Sequence, residues 1–302
     1  MTPSDPSTQT TRVVDFWTER HGRADHGTHD NFFNHPLVHA YVSLRCFGNL
    51  TGHLDAVIGE IRTRSKPGAR IFSPGCGTAE KEMALATALP DRHFSATDIT
   101  PAILDVARAE MDRRGIKNLE LRLGDFNHLD LEPRSFDIIT ALGSVHHVEA
   151  LEQFWAVSRQ ALRPGGCILA QEYIGPNRLQ WEPVQCAWGT RALREIVPTA
   201  HQVHHREVVP TPLEEMLALD PSEAVRSRDI LSTCKAAGFE FAGYAGAGCA
   251  LLQPVLMNQI HTFAPQDWQH NLVLSRLFAE EDRLMREGVL GDDFAMWVAV
   301  PR

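Results

Sequence analysis

No stretch of this 302-residue chain holds the roughly 18 consecutive apolar residues that a membrane-spanning helix requires. Runs of Lys and Arg are missing too, and the formal net charge is −9. Nucleic acid or an anionic membrane as the main partner would call for a basic surface, so both are disfavoured. The six cysteines (Cys46, Cys76, Cys167, Cys186, Cys234 and Cys249) are scattered, with no C-x-x-C pair. That pattern argues against a disulfide frame or a cysteine zinc site and suggests reduced thiols in a cytoplasmic protein. The Thr-, Ser- and Pro-rich start, Met1 to Thr11, has no apolar core of the signal-peptide kind and is expected to be a disordered tail. Internal repeats are not seen.

What is present is a 43% hydrophobic chain, long enough for one large domain with a helical attachment. Residues 12–66 read as an N-terminal helical lid, in which Leu54, Val57, Ile58 and Ile61 follow helical spacing and a helix begins after Pro36. Residues 67–302 form the second zone, with an insertion at about 176–221. Short apolar runs there alternate with helical patterns: strands at 69–74, 93–97, 119–123, 136–142 and 167–173, and helices at 79–89, 101–114 and 151–162. The last of these helices is expected to stop at Pro164-Gly165-Gly166. Strands separated by helices of this length imply a doubly wound α/β sheet with helices on both faces. A further strand is expected at 239–245 and a final one at 293–300. The helical pattern at 267–287 would serve as an intramolecular cover or as a homodimer interface.

Strand 69–74 runs into Gly75-Cys76-Gly77-Thr78-Ala79-Glu80, a glycine turn that opens a helix. Gly75 permits the tight turn, and Gly77 lets backbone approach a ligand at the positive end of a helix dipole. Asp98 ends the next strand, 21 residues after Gly77. A carboxylate at that spacing can accept from both hydroxyls of a ribose, which points to an adenosine-containing cofactor. A dinucleotide fingerprint needs a small residue at its sixth position, where Glu80 would repel a pyrophosphate; a cofactor carrying a sulfonium and an ammonium tolerates it. Gly124-Asp125-Phe126 after the third strand offers an acceptor for an adenine amino group and a ring to pack on it.

These signals together, with Ser135-Phe-Asp-Ile-Ile-Thr-Ala-Leu-Gly-Ser-Val-His146-His147 and Leu162-Arg-Pro-Gly-Gly166, resemble the class I S-adenosylmethionine-dependent methyltransferase family, broadly its ubiquinone-biosynthesis-like branch. The resemblance spans about residues 67–175. It implies S-adenosylmethionine as cofactor and a Rossmann-like seven-stranded sheet whose last strand is antiparallel. It also implies Gly75 and Gly77 beside the methionine part, Asp98 on the ribose, Ile99 against the adenine, and Asp125 and Phe126 at the adenine edge. Ser73, Cys76, Gly124 and Leu142 complete the cofactor wall expected from it. Two positions depart from the family: Ser73 stands where an acid is usual, and Ala79 where a third glycine is usual. A partner for the amino-acid moiety of the cofactor is then expected from elsewhere in the chain, with the N-terminal zone as one source. The segments Glu172–Trp181 and Pro221–Ser227 are similar to a group of bacterial methyltransferases.

Methyl transfer is an in-line displacement, and a base is needed only when the acceptor must lose a proton. His146 and His147, after the fourth strand, and Glu172, at the end of the fifth, are the titratable candidates at the carboxyl edge of the sheet, each with a purely structural alternative. In the pairs His26/His29 and His201/His204 no cysteine or carboxylate completes a ligand set, so no metal is expected. Arg178, Arg191, Arg194 and Arg206 are candidates for an anionic substrate group. Phe16, Trp17, Phe32, Phe33, Tyr41, Tyr173, Trp181 and Trp188 would form an apolar roof or ordinary lid core. The expected activity is O- or C-methylation of a small molecule, with an isoprenoid- or polyketide-like acceptor as one variant. A catalytically silent cofactor binder and an adenine-dinucleotide oxidoreductase are the alternatives. A nucleic-acid methyltransferase is disfavoured, because Ala141-Leu-Gly-Ser144 replaces a base-flipping motif.

Overall fold

The computed structural model of the protein describes residues 11, 13–16, 18, 32–202, 206–257 and 259–302. The expected tail, together with Trp17, His26, His29, His204 and His205, lies wholly or almost wholly outside the described residues. Helix α1 (Pro36–Phe47) starts on Pro36, where the fixed φ suits the first helical turn, and is capped by the His35 side chain, which accepts from Leu37 N at 3.2 Å. Helix α2 (His53–Arg64) precedes β1 (Arg70–Pro74), α3 (Glu80–Ala88), β2 (His93–Asp98), α4 (Pro101–Arg114) and β3 (Leu119–Leu123). Then follow β4 (Phe136–Leu142), α5 (Leu151–Ala161) and β5 (Leu162–Tyr173). The insertion holds α6 (Pro183–Glu195) and α7 (Leu213–Leu219). Helix α8 (Ile230–Ala236) and β6 (Phe239–Cys249) come next, and α9 (Leu252–Leu256), α10 (Trp268–Arg286) and β7 (Asp292–Pro301) complete the chain.

The seven strands form one sheet in the order β3-β2-β1-β4-β5-β7-β6. β1 to β5 pair in parallel, whereas β7 is antiparallel to both β5 and β6. Because successive side chains on a strand point to opposite faces, each central strand feeds two cores. Ile71, Ile138, Cys167 and Leu169 pack with α2, α3 and α4 on one face, whereas Phe72, Ile139, Ile168 and Ala170 pack with α5 and α8 on the other. A third core joins α1, α6, α9 and α10 through Val38, Val42, Leu193, Leu252, Val255, Leu274 and Leu277. Residues 12–66 therefore divide: α1 belongs to the third core, whereas Val57, Ile58 and Ile61 of α2 lie on the sheet. Among the described residues no helix is long and apolar enough to cross a membrane.

Two boundaries differ from the sequence reading. The fifth strand begins at Leu162, not Cys167, with Pro164-Gly165-Gly166 inside it. The ladder to β4 shifts register between Phe136 and Ile138, which absorbs a proline that has no N–H to give, and Arg163 Nη1 clamps the bulge to Asp137 Oδ2 at 2.7 Å. β6 continues to Cys249 although its glycines hide any alternation. Gly248 N donates to Asp292 Oδ1 at 2.8 Å, and Cys249 N to Glu281 Oε1 at 2.8 Å. The buried Glu281 also accepts from Leu251 N and Leu252 N, tying α10 to the end of β6.

Candidate active site

The carboxyl ends of β1, β2 and β4 open into a cavity of about 320 Å³, where a doubly wound sheet places its ligands. Gly75 turns the chain out of β1 at φ 65°, and a Cβ there would stand 2.8 Å from Phe126 Cε1 and 2.9 Å from Ser144 Cβ. Gly77, at φ 53°, has open space where its Cβ would be. Its N–H donates to Asp98 Oδ2 at 2.9 Å, and Thr100 N donates to Asp98 Oδ1 at 2.9 Å. Asp98 thus fastens the glycine turn to β2 and keeps acceptor capacity on both oxygens. Ala79 adopts a left-handed conformation, φ 56° and ψ 27°, just before α3, so the family's glycine position here holds an alanine at some conformational cost.

Gly75, Cys76, Gly77, Asp98, Ile99, Phe126 and Leu142 all line this cavity. Three of the expected residues lie outside its wall. Gly124 stands against the Thr97 side chain. Asp125 caps a 3-10 turn, with Oδ1 accepting from Asn127 N at 2.8 Å and Oδ2 lying 2.8 Å from His128 Nδ1. Ser73 points into the protein, where its hydroxyl donates to Glu82 Oε1 at 2.7 Å and lies 2.6 Å from Thr140 Oγ1.

Glu82 is the residue the sequence reading missed. It comes from the first turn of α3, is buried, and reaches the cavity wall beside the Gly75 turn. Burial pushes its carboxyl above the usual range, while the Ser73 hydroxyl partly opposes that. The signal available was the coincidence of a serine at the usual acid position with a second glutamate in the opening turn of α3. Val13 from the N-terminal zone and Ser144 also line the cavity. Ser144 Oγ is buried without a hydrogen-bond partner among the described residues, a polar atom that a bound ligand would satisfy.

The three candidate bases separate. Glu172 Oε1 accepts from the N–H groups of Gly143, Ser144 and Val145 at 3.1, 2.8 and 2.9 Å, and Oε2 lies 2.7 Å from His146 Nδ1. Its side chain is buried, and it lies outside the cavity wall. His146 is held above its ordinary value by the Glu172 hydrogen bond and the Glu223 carboxylate, which together outweigh the opposing effect of burial. His147 does line the cavity, with Ser222. Its Nδ1 lies 3.0 Å from Ser222 Oγ, and burial, then the neighbouring His146, lowers its pKa.

The remaining candidates are occupied elsewhere. Arg178 Nη1 donates to Pro221 O at 2.6 Å, and Arg191 and Arg194 pair with Glu195 and Glu207. Tyr41 stacks on Phe278, and Phe32 and Phe33 pack on Phe294 together with Tyr173; these are lid-core contacts. Phe126 is the aromatic on the cavity wall among the described residues. His201 stacks on Phe263 and lies 3.0 Å from Thr262 Oγ1.

Residues 71–166 match a family model described as a methyltransferase domain. Over those residues the chain is similar to methyltransferase domains. It is 25% identical over 120 residues to the demethylmenaquinone methyltransferase of Bacillus cytotoxicus, covering 39% of this chain and 51% of that protein. It is also 25% identical over 122 residues to the arsenite methyltransferase of Halobacterium salinarum, covering 39% of this chain and 31% of that protein. The chain thus spans about a third to a half of the length of these curated relatives. The fold is shared with geranyl diphosphate C-methyltransferase from Streptomyces coelicolor A3(2), with a TM-score of 0.57 at 11% identity over 99% of this chain and 100% of that one. It is shared as well with the [4+2]-cyclase SpnF, with a TM-score of 0.53 at 15% identity over 97% and 96% of the two chains. One fold therefore hosts different chemistries, and the particular reaction must be argued from the site.

Proposed function

We propose that this protein transfers a methyl group from S-adenosylmethionine to a small-molecule acceptor. The observation that carries this reading is a cavity walled by the Gly75–Gly77 turn and Asp98, with the buried carboxylate of Glu82 beside the turn. Asp98 would take the ribose hydroxyls; Phe126, Ile99 and Leu142 would enclose the adenosine. Glu82 would take the ammonium group, supplying the acid that Ser73 does not. A carboxylate raised by burial is well matched to a cation, and two acids on the α3 turn, Glu80 and Glu82, repel the pyrophosphate of a dinucleotide.

When bound, the cofactor supplies a methyl group on a sulfonium. The acceptor's electron pair forms the new bond to that carbon, and the carbon–sulfur bond breaks with its pair left on sulfur. The chain's own contribution is alignment and exclusion of water. The acceptor would lie against His147 and Ser222, two polar residues of the wall. We assign Glu172 and His146 positioning roles. Glu172 holds the backbone from Gly143 to Val145, and through His146 the edge of the acceptor side.

Calorimetric titration of the purified protein with S-adenosylhomocysteine, NAD in parallel and Asp98→Ala as variant, tests the cofactor. Heat with the thioether, none with NAD and weaker binding in the variant support the reading. A response to NAD alone would overturn it.

A further inference from the structure

Segments Glu172–Trp181 and Pro221–Ser227, far apart in sequence, meet at the 3-10 turn Val145–His147. Val225 N donates to His146 O at 3.0 Å, Arg178 N to Ala224 O at 2.6 Å, and Arg178 Nη1 to Pro221 O at 2.6 Å. Arg178 and Ala224 both take left-handed backbone conformations, at φ 57° and 47°, so the meeting is held at some conformational cost. The effect of this bracing is to bring the Glu223 carboxylate over the two imidazoles. His146 Nε2 lies 3.9 Å from Glu223 Oε1, and His147 Nε2 lies 4.0 Å from Glu223 Oε2.

The inner nitrogen of each ring is already engaged. His146 Nδ1 lies 2.7 Å from Glu172 Oε2, and His147 Nδ1 lies 3.0 Å from Ser222 Oγ, whose hydroxyl donates to Asp220 Oδ1 at 2.8 Å. A carboxylate behind one imidazole and a hydroxyl–carboxylate relay behind the other fix both rings with Nε2 toward the same carboxylate. Histidines that bind metal are commonly held this way, with the far nitrogen bonded to a carboxylate or hydroxyl so that ring orientation and tautomer are set. The three ligating groups come together near the cavity wall, to which His147 itself belongs.

We propose that His146, His147 and Glu223 bind one divalent first-row transition-metal ion, through the two Nε2 atoms and the carboxylate, on the acceptor side of the cavity. Two imidazoles and one carboxylate suit zinc, cobalt or ferrous iron, and leave coordination positions for ligands from the cavity. The three ligand atoms lie within 4.8 Å of one another, and atoms sharing an ion at about 2.1 Å stand roughly 3.0–3.4 Å apart, so binding would draw the two rings and the half-buried Glu223 side chain together. Its use rests on the methyl-transfer reading above. An acceptor hydroxyl coordinated there would be lowered in pKa, lose its proton to water and attack as the alkoxide or phenolate. The acceptor class is therefore a hydroxyl-bearing molecule, methylated on oxygen.

The test is titration of the purified, chelator-treated protein with Co²⁺ and Zn²⁺, followed by visible absorption and calorimetry. S-adenosylhomocysteine binding is measured on the same samples. One ion per chain with ligand-field bands is expected, with affinity at least about 100-fold weaker in Glu223→Ala and in His147→Ala. Asp220→Asn, one shell out, should weaken it by about 10–100-fold. Thermal melts establish that each variant is folded, and Glu223→Ala is the variant least exposed to a folding defect. Co²⁺ affinity equal in wild type and Glu223→Ala, or no ligand-field band in wild type, would overturn the site. Metal binding without S-adenosylhomocysteine binding would overturn the methyltransferase reading and leave the metal site standing.

Discussion

Replacing Glu172 separates a catalytic base from a structural tie. Its carboxylate receives Ser144 N–H and Val145 N–H, which have no other acceptor among the described residues, while Gly143 N–H is shared with Gln171 O at 2.8 Å. Glu172→Ala would orphan these two buried donors, release the His146 N–H held at 3.4 Å and free His146 Nδ1. At about 1–3 kcal/mol for each orphaned donor, the loss is about 2–6 kcal/mol. For a chain of this size that lowers Tm by roughly 10 °C. Glu172→Gln keeps one carbonyl oxygen for the two backbone donors and loses only the charge assistance and the match to His146, about 1–2 kcal/mol. Were Glu172 the base, the glutamine variant would lose about 10²–10⁴-fold in turnover, whereas a tie predicts a loss under about tenfold. Differential scanning fluorimetry and a methyl-transfer assay on both variants decide. A glutamine variant with wild-type Tm and turnover lower by about a thousandfold would refute the positioning role.

Gly77→Ala and Gly75→Ala should behave differently. A Cβ at Gly77 meets nothing within 4 Å, so stability should fall by only about 1–2 kcal/mol for the left-handed φ, while S-adenosylhomocysteine affinity should fall well beyond that if the cofactor approaches this backbone. At Gly75 the Cβ collides with Phe126 and Ser144, so melting temperature and affinity should fall together; calorimetry beside thermal melts reads both. Glu82→Gln should leave stability unchanged or improved, since a buried carboxylate above its usual pKa is removed. Its affinity for S-adenosylhomocysteine should drop about 10–100-fold for one charge-assisted contact, and unchanged affinity would remove the ammonium assignment. Burial raises Asp293 from 3.8 to about 6, with the Gln185 hydrogen bond opposing. The folded state therefore binds this proton more tightly, and the associated stability is complete below the unfolded value and lost as pH rises through about 6. Asp293→Asn should match wild type at low pH and exceed it at about pH 8 by up to about 3 kcal/mol, read from melts across that range.

The glycine-turn side of the cavity was legible as geometry because backbone conformation is written in local sequence. A turn that needs positive φ at Gly75 and Gly77, followed by an acid one strand later, leaves a mark at fixed spacing. The parallel strands were legible for the same reason, as apolar runs bounded by helices. Where side chains act through space the reading failed. Ser73 looked like a site residue and instead donates inward to Glu82, because a strand's alternation, not its nearness to the turn, decides which face a side chain takes. Asp125 looked like an adenine contact and is used by the turn it caps. Of the aromatic residues weighed as roof or as core, Phe32, Phe33 and Tyr41 pack in core, since α1 and α10 must bury their own apolar stripes.

The acceptor half shows why long-range assembly escapes such reading. For the histidine pairs weighed for metal, His26/His29 and His201/His204, no carboxylate was seen to complete a ligand set. The pair next to the cavity, His146 and His147, finds one in Glu223 only after α5, β5 and the whole insertion have been traversed. What the local sequence did carry was Arg178, the Pro221–Ser227 segment, and a glutamate near the end of β5. None of these has a reason of its own until the three are seen to meet. Arg178 braces the loop that presents Glu223, and Glu172 fixes the ring that Glu223 faces. Residues that would be ordinary singly are thus parts of one arrangement, in which two segments outside residues 71–166 brace the Val145–His147 turn and carry Glu223 to its imidazoles. The cavity wall between residues 75 and 142 lies within the matched stretch, and Ser222 does not. Under the proposed function, specificity for the acceptor should follow exchanges in 172–181 and 220–228, while exchanges in 75–80 should change cofactor affinity without changing which acceptor is used.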